Sequence, residues 1–129
     1  MKTQDLMIEN VITTNEKTTV EDAIKMLFKK HVGALIITED DRKCKGIFTE
    51  RDALRCVARK VPLNTKLMNV MSKNVITVRE NASFAEAKNL MVLHGIRHLP
   101  VVDTKGHLRG MLTLRNLLDE LVGISTVKS

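Results

Sequence analysis

Residues 7–54 of this chain align with residues 71–118 without a gap, at a constant offset of 64 positions. Twelve of the aligned pairs are identical, among them Asn10/Asn74, Thr13/Thr77, Gly46/Gly110, Thr49/Thr113 and Arg51/Arg115. A duplication of this length confines the fold to two like units related by a pseudo-twofold axis. A ligand site built between the copies would then occur twice. One copy alone is too small to bury a good fraction of its surface, whereas 129 residues make an ordinary domain. Solenoid arrays need three or more units, so two copies point to a closed pair. The expectation is a first repeat over residues 1–62, a second over residues 63–129, and a core that the two share.

Local patterns predict the same order of elements in each copy. Residues 11–14 (VITT) and 75–78 (VITV) are β-branched runs of strand type. Thr19 with Asp22, and Ser83 with Glu86, have the spacing of a helix N-cap. Val20, Ala23, Ile24 and Leu27 follow the first cap at helical spacing, and Phe84, Ala87, Leu90 and Met91 follow the second. Gly33 and Gly95 stand where those helices can end. Residues 34–38 (ALIIT) and 99–102 (LPVV) are compact apolar runs, each followed by a polar turn and another strand carrying Gly46 or Gly110. Those glycines mark a close approach to the backbone. Thr49 and Thr113 then begin a last helix in each copy. The unit is β-α-β-β-α, twice, and the fold class is α/β (α+β).

Bulk properties exclude several functions. The chain has 43% hydrophobic and 28% charged residues, which is globular rather than disordered. No apolar run approaches the roughly 20 residues that cross a bilayer, and MKTQDLMIEN has no secretory pattern. Cys44 and Cys56 match neither a disulfide framework nor a zinc spacing. A cytoplasmic protein with reduced thiols, no membrane and no metal is expected. The net charge of +6 suits an anionic partner. With no Trp, no Tyr and three Phe there is little to stack bases. Lys and Arg are scattered rather than blocked, so nucleic acid is disfavoured.

The duplicated order, together with GIFTERD at 46–52, GIRHLPVVD at 95–103 and GMLTLRN at 110–116, resembles a tandem pair of cystathionine-β-synthase (CBS) domains, a Bateman module. The resemblance covers residues 7–123. It implies two units packed through their sheets, adenine-nucleotide or adenosyl ligands in two clefts, and a homodimer. By similarity to the threonine-x-x-aspartate motif of the family, Asp52 would accept the ribose hydroxyls and Thr49 would face phosphate. The base would slot against Val75, Ile76, Thr77, Leu99 and Pro100, with Arg97, His98, Arg51 and Arg115 near phosphate. The second site would set Thr113 and Asn116 against Ile12, Thr13, Gly33, Ala34 and Leu35. It departs from the pattern, because Asn116 replaces the aspartate and Gly33 and Ala34 replace the basic pair. Unequal sites follow, with the Asp52 site the tighter.

No P-loop, GxGxxG, nucleophile elbow or zinc-binding helix is present, so a binding module rather than an enzyme is expected. It requires no cofactor; AMP, ADP or ATP would act as a regulatory ligand read by a separate, unidentified protein. Two rivals remain: a basic nucleic-acid-binding protein, and a structural dimerisation module without ligand. Locally, Thr49–Asp52 is also a plain capping-box pattern.

Overall fold

Two capping threonines set the frame. Thr49 ends one strand and starts a helix in a single step, and Thr113 does the same 64 positions later. The computed structural model describes residues 1–123. In chain order the elements are α1 (Thr3–Leu6), β1 (Thr13–Thr14), α2 (Val20–Lys30), β2 (Ala34–Thr38), β3 (Cys44–Thr49), α3 (Glu50–Ala58), a 3₁₀ turn (Leu67–Asn69), β4 (Val78–Arg79), α4 (Phe84–His94), β5 (His98–Val102), β6 (Leu108–Thr113) and α5 (Leu114–Leu121).

The strands make two three-stranded sheets, β1-β2-β3 and β4-β5-β6. In each, the short first strand runs parallel to the middle one and the last runs antiparallel to it. Even the irregularity repeats: the register slips between Ile37 and Thr38, and again between Val101 and Val102. The caps form as the sequence predicts, with Thr19 accepting from the Asp22 N–H and Ser83 from the Glu86 N–H. Gly95 closes α4 in the left-handed region, but α2 ends two residues before Gly33, on His31 at φ 54°. Its N–H bonds back to the last turn, so closure comes before the glycine is reached.

The compact units do not follow the order of the repeat. One consists of residues 12–75; the other combines residues 1–11 with residues from 76 onward. They are named here the Asp52 unit and the Asn116 unit. Each repeat gives its leading segment away. In the Asn116 unit, Ile8 exchanges backbone hydrogen bonds with Met111 on β6, and Gln4 and Thr3 donate to Glu80 and Ala82. In the Asp52 unit, Ser72 exchanges with Ile47 on β3, and Leu67 and Met68 donate to Thr18 and Glu16. The donated segments are themselves repeat-equivalent, since Met7 matches Met71.

Here the two strand glycines find their reason. A Cβ on Gly46 would stand 2.5 Å from the Met71 sulfur; one on Gly110 would stand 2.7 Å from the Met7 sulfur and 2.8 Å from the Ile8 carbonyl oxygen. The glycine, the methionine and their 64-residue spacing belong to one packing device used twice. Each unit has an apolar cluster of its own. Leu35, Ile37, Phe48, Leu67 and Met71 centre one; Met7, Val101, Leu99, Leu112 and Leu117 centre the other. Borrowing the leading segment lets each unit fill its own interior.

Candidate functional site

Thr49 is extended (φ −109°, ψ 170°), and the chain turns directly from β3 into α3. That geometry places Asp52 one turn inside, with its side chain 8% exposed. The capping box is reciprocal. Asp52 N–H donates to Thr49 Oγ1 at 3.2 Å, while Asp52 Oδ2 accepts from Thr49 N–H at 2.9 Å and from the Thr49 hydroxyl at 3.1 Å. The other oxygen, Oδ1, accepts from Arg55 Nη1 at 2.8 Å. An ionised carboxylate has about four acceptor positions. Two donors lie on Oδ2 and one on Oδ1, which leaves one position open on Oδ1.

Asn116 sits in the same frame but offers different chemistry. Its Oδ1 accepts from Thr113 N–H at 2.9 Å and from the Thr113 hydroxyl at 2.7 Å. A backbone N–H can only donate, so the atom facing it is the amide oxygen, and both lone pairs of that oxygen are used. What Asn116 has left to present is an N–H₂ donor. The difference is larger than the exchange of a charged acceptor for a neutral one: here the acceptor is already consumed by the cap.

The helix starts are less open than a bare N-terminus. Glu50 N–H donates to Gly33 C=O at 3.0 Å, and Leu114 N–H to Arg97 C=O at 2.9 Å. The Thr49 and Thr113 hydroxyl hydrogens lie on Asp52 and Asn116, so turning either toward a phosphate means giving that bond up. Arg51 and Arg115 occupy the second helical position and are exposed.

Within the Asp52 unit, Ala34 pairs with Thr49, so Gly33 and Ala34 flank the Thr49–Asp52 cap. Within the Asn116 unit, His98 pairs with Thr113, so Arg97 and His98 flank that cap. Apart from Val75, which belongs to the Asp52 unit, the crosswise grouping expected from the sequence joins residues of different units, whereas the strand pairing inside each unit sets Gly33 and Ala34 beside Thr49 and Arg97 and His98 beside Thr113. Thr13 on β1 lies beside Ile36 of the middle strand, on the sheet edge opposite the cap, and the Ile12 carbonyl accepts from Ile36 N–H. Leu35 and Leu99 are 0% exposed and belong to the cores. Pro100 is buried, while Val75, Ile76 and Thr77 are half-buried. An open groove of about 880 Å³ lies at the far end of β5, lined by Thr77, Arg79, Ser83, Glu86, Asp103 and Lys105 among others. Of the expected site residues it contains Thr77.

Arg55 is the residue that the sequence reading missed. The signal was available: an arginine three positions beyond an acid on a helix lies on the same face. Its counterpart 64 positions on is Asp119. On the same helix, burial raises the Cys56 thiol above its usual range and the Asp52 charge adds to this, partly offset by Arg55 and Arg59. Burial pushes Cys44 up to about 11. Both thiols are therefore protonated at neutral pH, which makes them weak nucleophiles. Among the described residues no group of three or more His, Cys, Asp or Glu is placed to hold a metal, and no helix is long and apolar enough to cross a membrane.

The CBS domain model matches this chain twice, over residues 4–59 and 67–123. The chain belongs to the CBS domain family. Its fold is that of solved CBS domain pairs. A CBS domain protein from Pyrobaculum aerophilum complexed with AMP superposes with a TM-score of 0.86 at 29% identity, covering 95% of this chain and 99% of that one. The CBS domain pair of protein MJ0100, in complex with 5′-methylthioadenosine and S-adenosyl-L-methionine, gives 0.85 at 27%, covering 95% and 100%. A CBS domain-containing protein of Dictyostelium discoideum is 32% identical over 94% of this chain and 91% of its own length. Inosine-5′-monophosphate dehydrogenases of Nitrosopumilus maritimus and Bifidobacterium longum are 31% and 34% identical, but this chain spans only 22% and 21% of their lengths. Both of these solved CBS structures carry adenosine-based ligands.

Proposed function

We propose that this CBS pair is a regulatory module for an adenine nucleotide or a related adenosyl compound, and that a partner protein reads its ligand state. The observation that carries the reading is Asp52. A carboxylate 8% exposed keeps one acceptor position unused on Oδ1, and a ribose hydroxyl supplies the donor it lacks. The AMP and adenosyl complexes of similar pairs support that ligand class. Arg51, exposed at the start of α3, and the net charge of +6 favour a ligand with phosphate. The Asn116 unit binds more weakly or not at all through its cap, because its amide oxygen is spent.

We read the module as a binder rather than an enzyme. Its proposed anchors include no nucleophile beside a base, and its thiols are held protonated. Protonated, unpaired cysteines fit a reducing compartment, which supports a cytoplasmic location. We propose a homodimer as the working state. Exposed apolar residues recur at repeat-equivalent places, Leu54 and Val57 on α3 and Leu118 and Leu121 on α5, and a second copy would cover both. Sedimentation equilibrium tests this, and a monomer at micromolar concentration would refute it.

A thermal-shift screen over adenine and guanine nucleosides and nucleotides tests the ligand class. A ligand at 100 times its dissociation constant stabilises by about 2.7 kcal/mol. Adenine compounds are expected to raise Tm and guanine compounds to leave it unchanged. Equal responses to both would defeat the proposed base preference.

A further inference from the structure

We infer that Arg55 sets how much of a ribose the Asp52 site can grip: it occupies the carboxylate oxygen that a full cis-diol contact needs, and so acts as a specificity-determining residue. The inference rests on the reading of Asp52 as the sugar acceptor. Oδ2 of Asp52 is saturated by the capping box. Both hydroxyls of a ribose must then be accepted by Oδ1, which has about two lone-pair positions. Arg55 Nη1 fills one of them at 2.8 Å. With Arg55 in place the site takes one hydroxyl; with Arg55 displaced it takes two.

The repeat supports a purpose beyond chance proximity. In the Asn116 unit both members of the pair change together, to Asn116 and Asp119. A buried carboxylate requires a compensating partner, whereas the amide at 116 requires none, so the arginine follows the acid. Arg55 itself remains exposed, with side-chain exposure of 45% against 8% for Asp52. A charge-compensating arginine would give stability alone. An arginine that holds a position on Oδ1 also limits how much of the sugar that oxygen can accept.

The test uses uncharged probes, so that loss of a cation does not act through phosphate. Adenosine and 2′-deoxyadenosine are titrated by calorimetry into the wild-type chain, Arg55→Met, Arg55→Lys and Asp52→Ala. In the wild type the two nucleosides should bind within about twofold of each other, since one open position serves either. Arg55→Met should tighten adenosine by about tenfold, the yield of one further charge-assisted hydrogen bond, and leave deoxyadenosine nearly unchanged. Arg55→Lys, whose head group is a flexible point donor rather than a fork, should fall between and serves if the methionine variant does not fold. An unchanged ratio of the two affinities in both arginine variants, with adenosine binding still dependent on Asp52, overturns the role of Arg55 and leaves the sugar site standing. Adenosine binding as tight in Asp52→Ala as in the wild type overturns both.

Discussion

The Asp52 and Asn116 units share their backbone and differ in what their caps leave unused. Both start their last helix from an extended threonine, both close a reciprocal capping box, and both glycines face a donated methionine. In one, a charged carboxylate retains an acceptor and is held by an arginine. In the other, an amide oxygen is consumed and only a donor remains. A single atom, oxygen against nitrogen, separates Asp52 from Asn116. Duplication preserves the scaffold because every element of it is needed for packing, while the third residue of the last helix need only keep one oxygen for the capping box. Ligand preference can then differ between halves at no cost to the fold.

The sharpest way to break this comparison is to remove both residues in turn. Asp52→Ala should weaken adenine-nucleotide binding by about ten- to a hundredfold, from loss of a charge-assisted hydrogen bond of roughly 1.5–3 kcal/mol. Asn116→Ala should change affinity little. Equal losses in calorimetric titration would mean that the two caps are equivalent.

The glycines come next. Gly110→Ala should destabilise by about 2–3 kcal/mol, since the new Cβ meets the Ile8 backbone carbonyl as well as the Met7 sulfur. Gly46→Ala should cost about 1 kcal/mol, because the nearest atoms it meets belong to the flexible Met71 side chain. Urea unfolding of the two variants checks the order; a larger loss at Gly46 would contradict it.

Removing the caps tests whether the scaffold is symmetric. Thr49→Ala and Thr113→Ala should each cost about 1 kcal/mol and agree within a few tenths. A gap of more than about 1 kcal/mol in chemical denaturation would show that one capping box matters to its unit far more than the other.

The smallest effects concern pH, and they have opposite signs. Asp103 lies below its usual pKa because it accepts the His107 and Lys105 backbone N–H groups. A depressed folded pKa gives stability above the unfolded value of about 3.9 that is lost as pH falls through the folded one. At the corresponding region of the other unit, Lys45 bonds Glu16 at 2.9 Å and Glu39 at 3.3 Å, and those hydrogen bonds raise it. A raised folded pKa gives stability below the unfolded value of about 10.4 that is lost as pH rises through the folded one. Residue-resolved NMR should show signals of the Asn116 unit perturbed first in acid and those of the Asp52 unit first in strong base. Both contacts are partly open to solvent, so the changes should be small.

The order of elements was legible because periodicity and caps are local. Thr19, Thr49, Ser83 and Thr113 cap the helices at which they were read, and the run at 34–38 is the strand Ala34–Thr38. The short β-branched runs were less faithful. The run at 11–14 keeps strand geometry only at Thr13–Thr14, and that at 75–78 shifts to Val78–Arg79. A parallel edge strand is trimmed by what its neighbour can pair with, which the run itself does not encode. The state of the Asp52 carboxylate was half legible. The capping pattern fixed Thr49, but whether Oδ1 was open depended on Arg55 reaching it.

The sequence alone specified two like β-α-β-β-α units, the starts of the four helices capped by Thr19, Thr49, Ser83 and Thr113, and the break in symmetry at the 52/116 pair, while the short helix Thr3–Leu6 went unread. These follow from side-chain spacing and backbone capping, interactions within a few residues of one another. That each repeat hands its first segment to the other's sheet, so that Met7 rests on Gly110 and Met71 on Gly46, emerges from the three-dimensional packing. The two glycines and two methionines are repeated in either arrangement, and the choice between them depends on which strand edge the segment can reach in space.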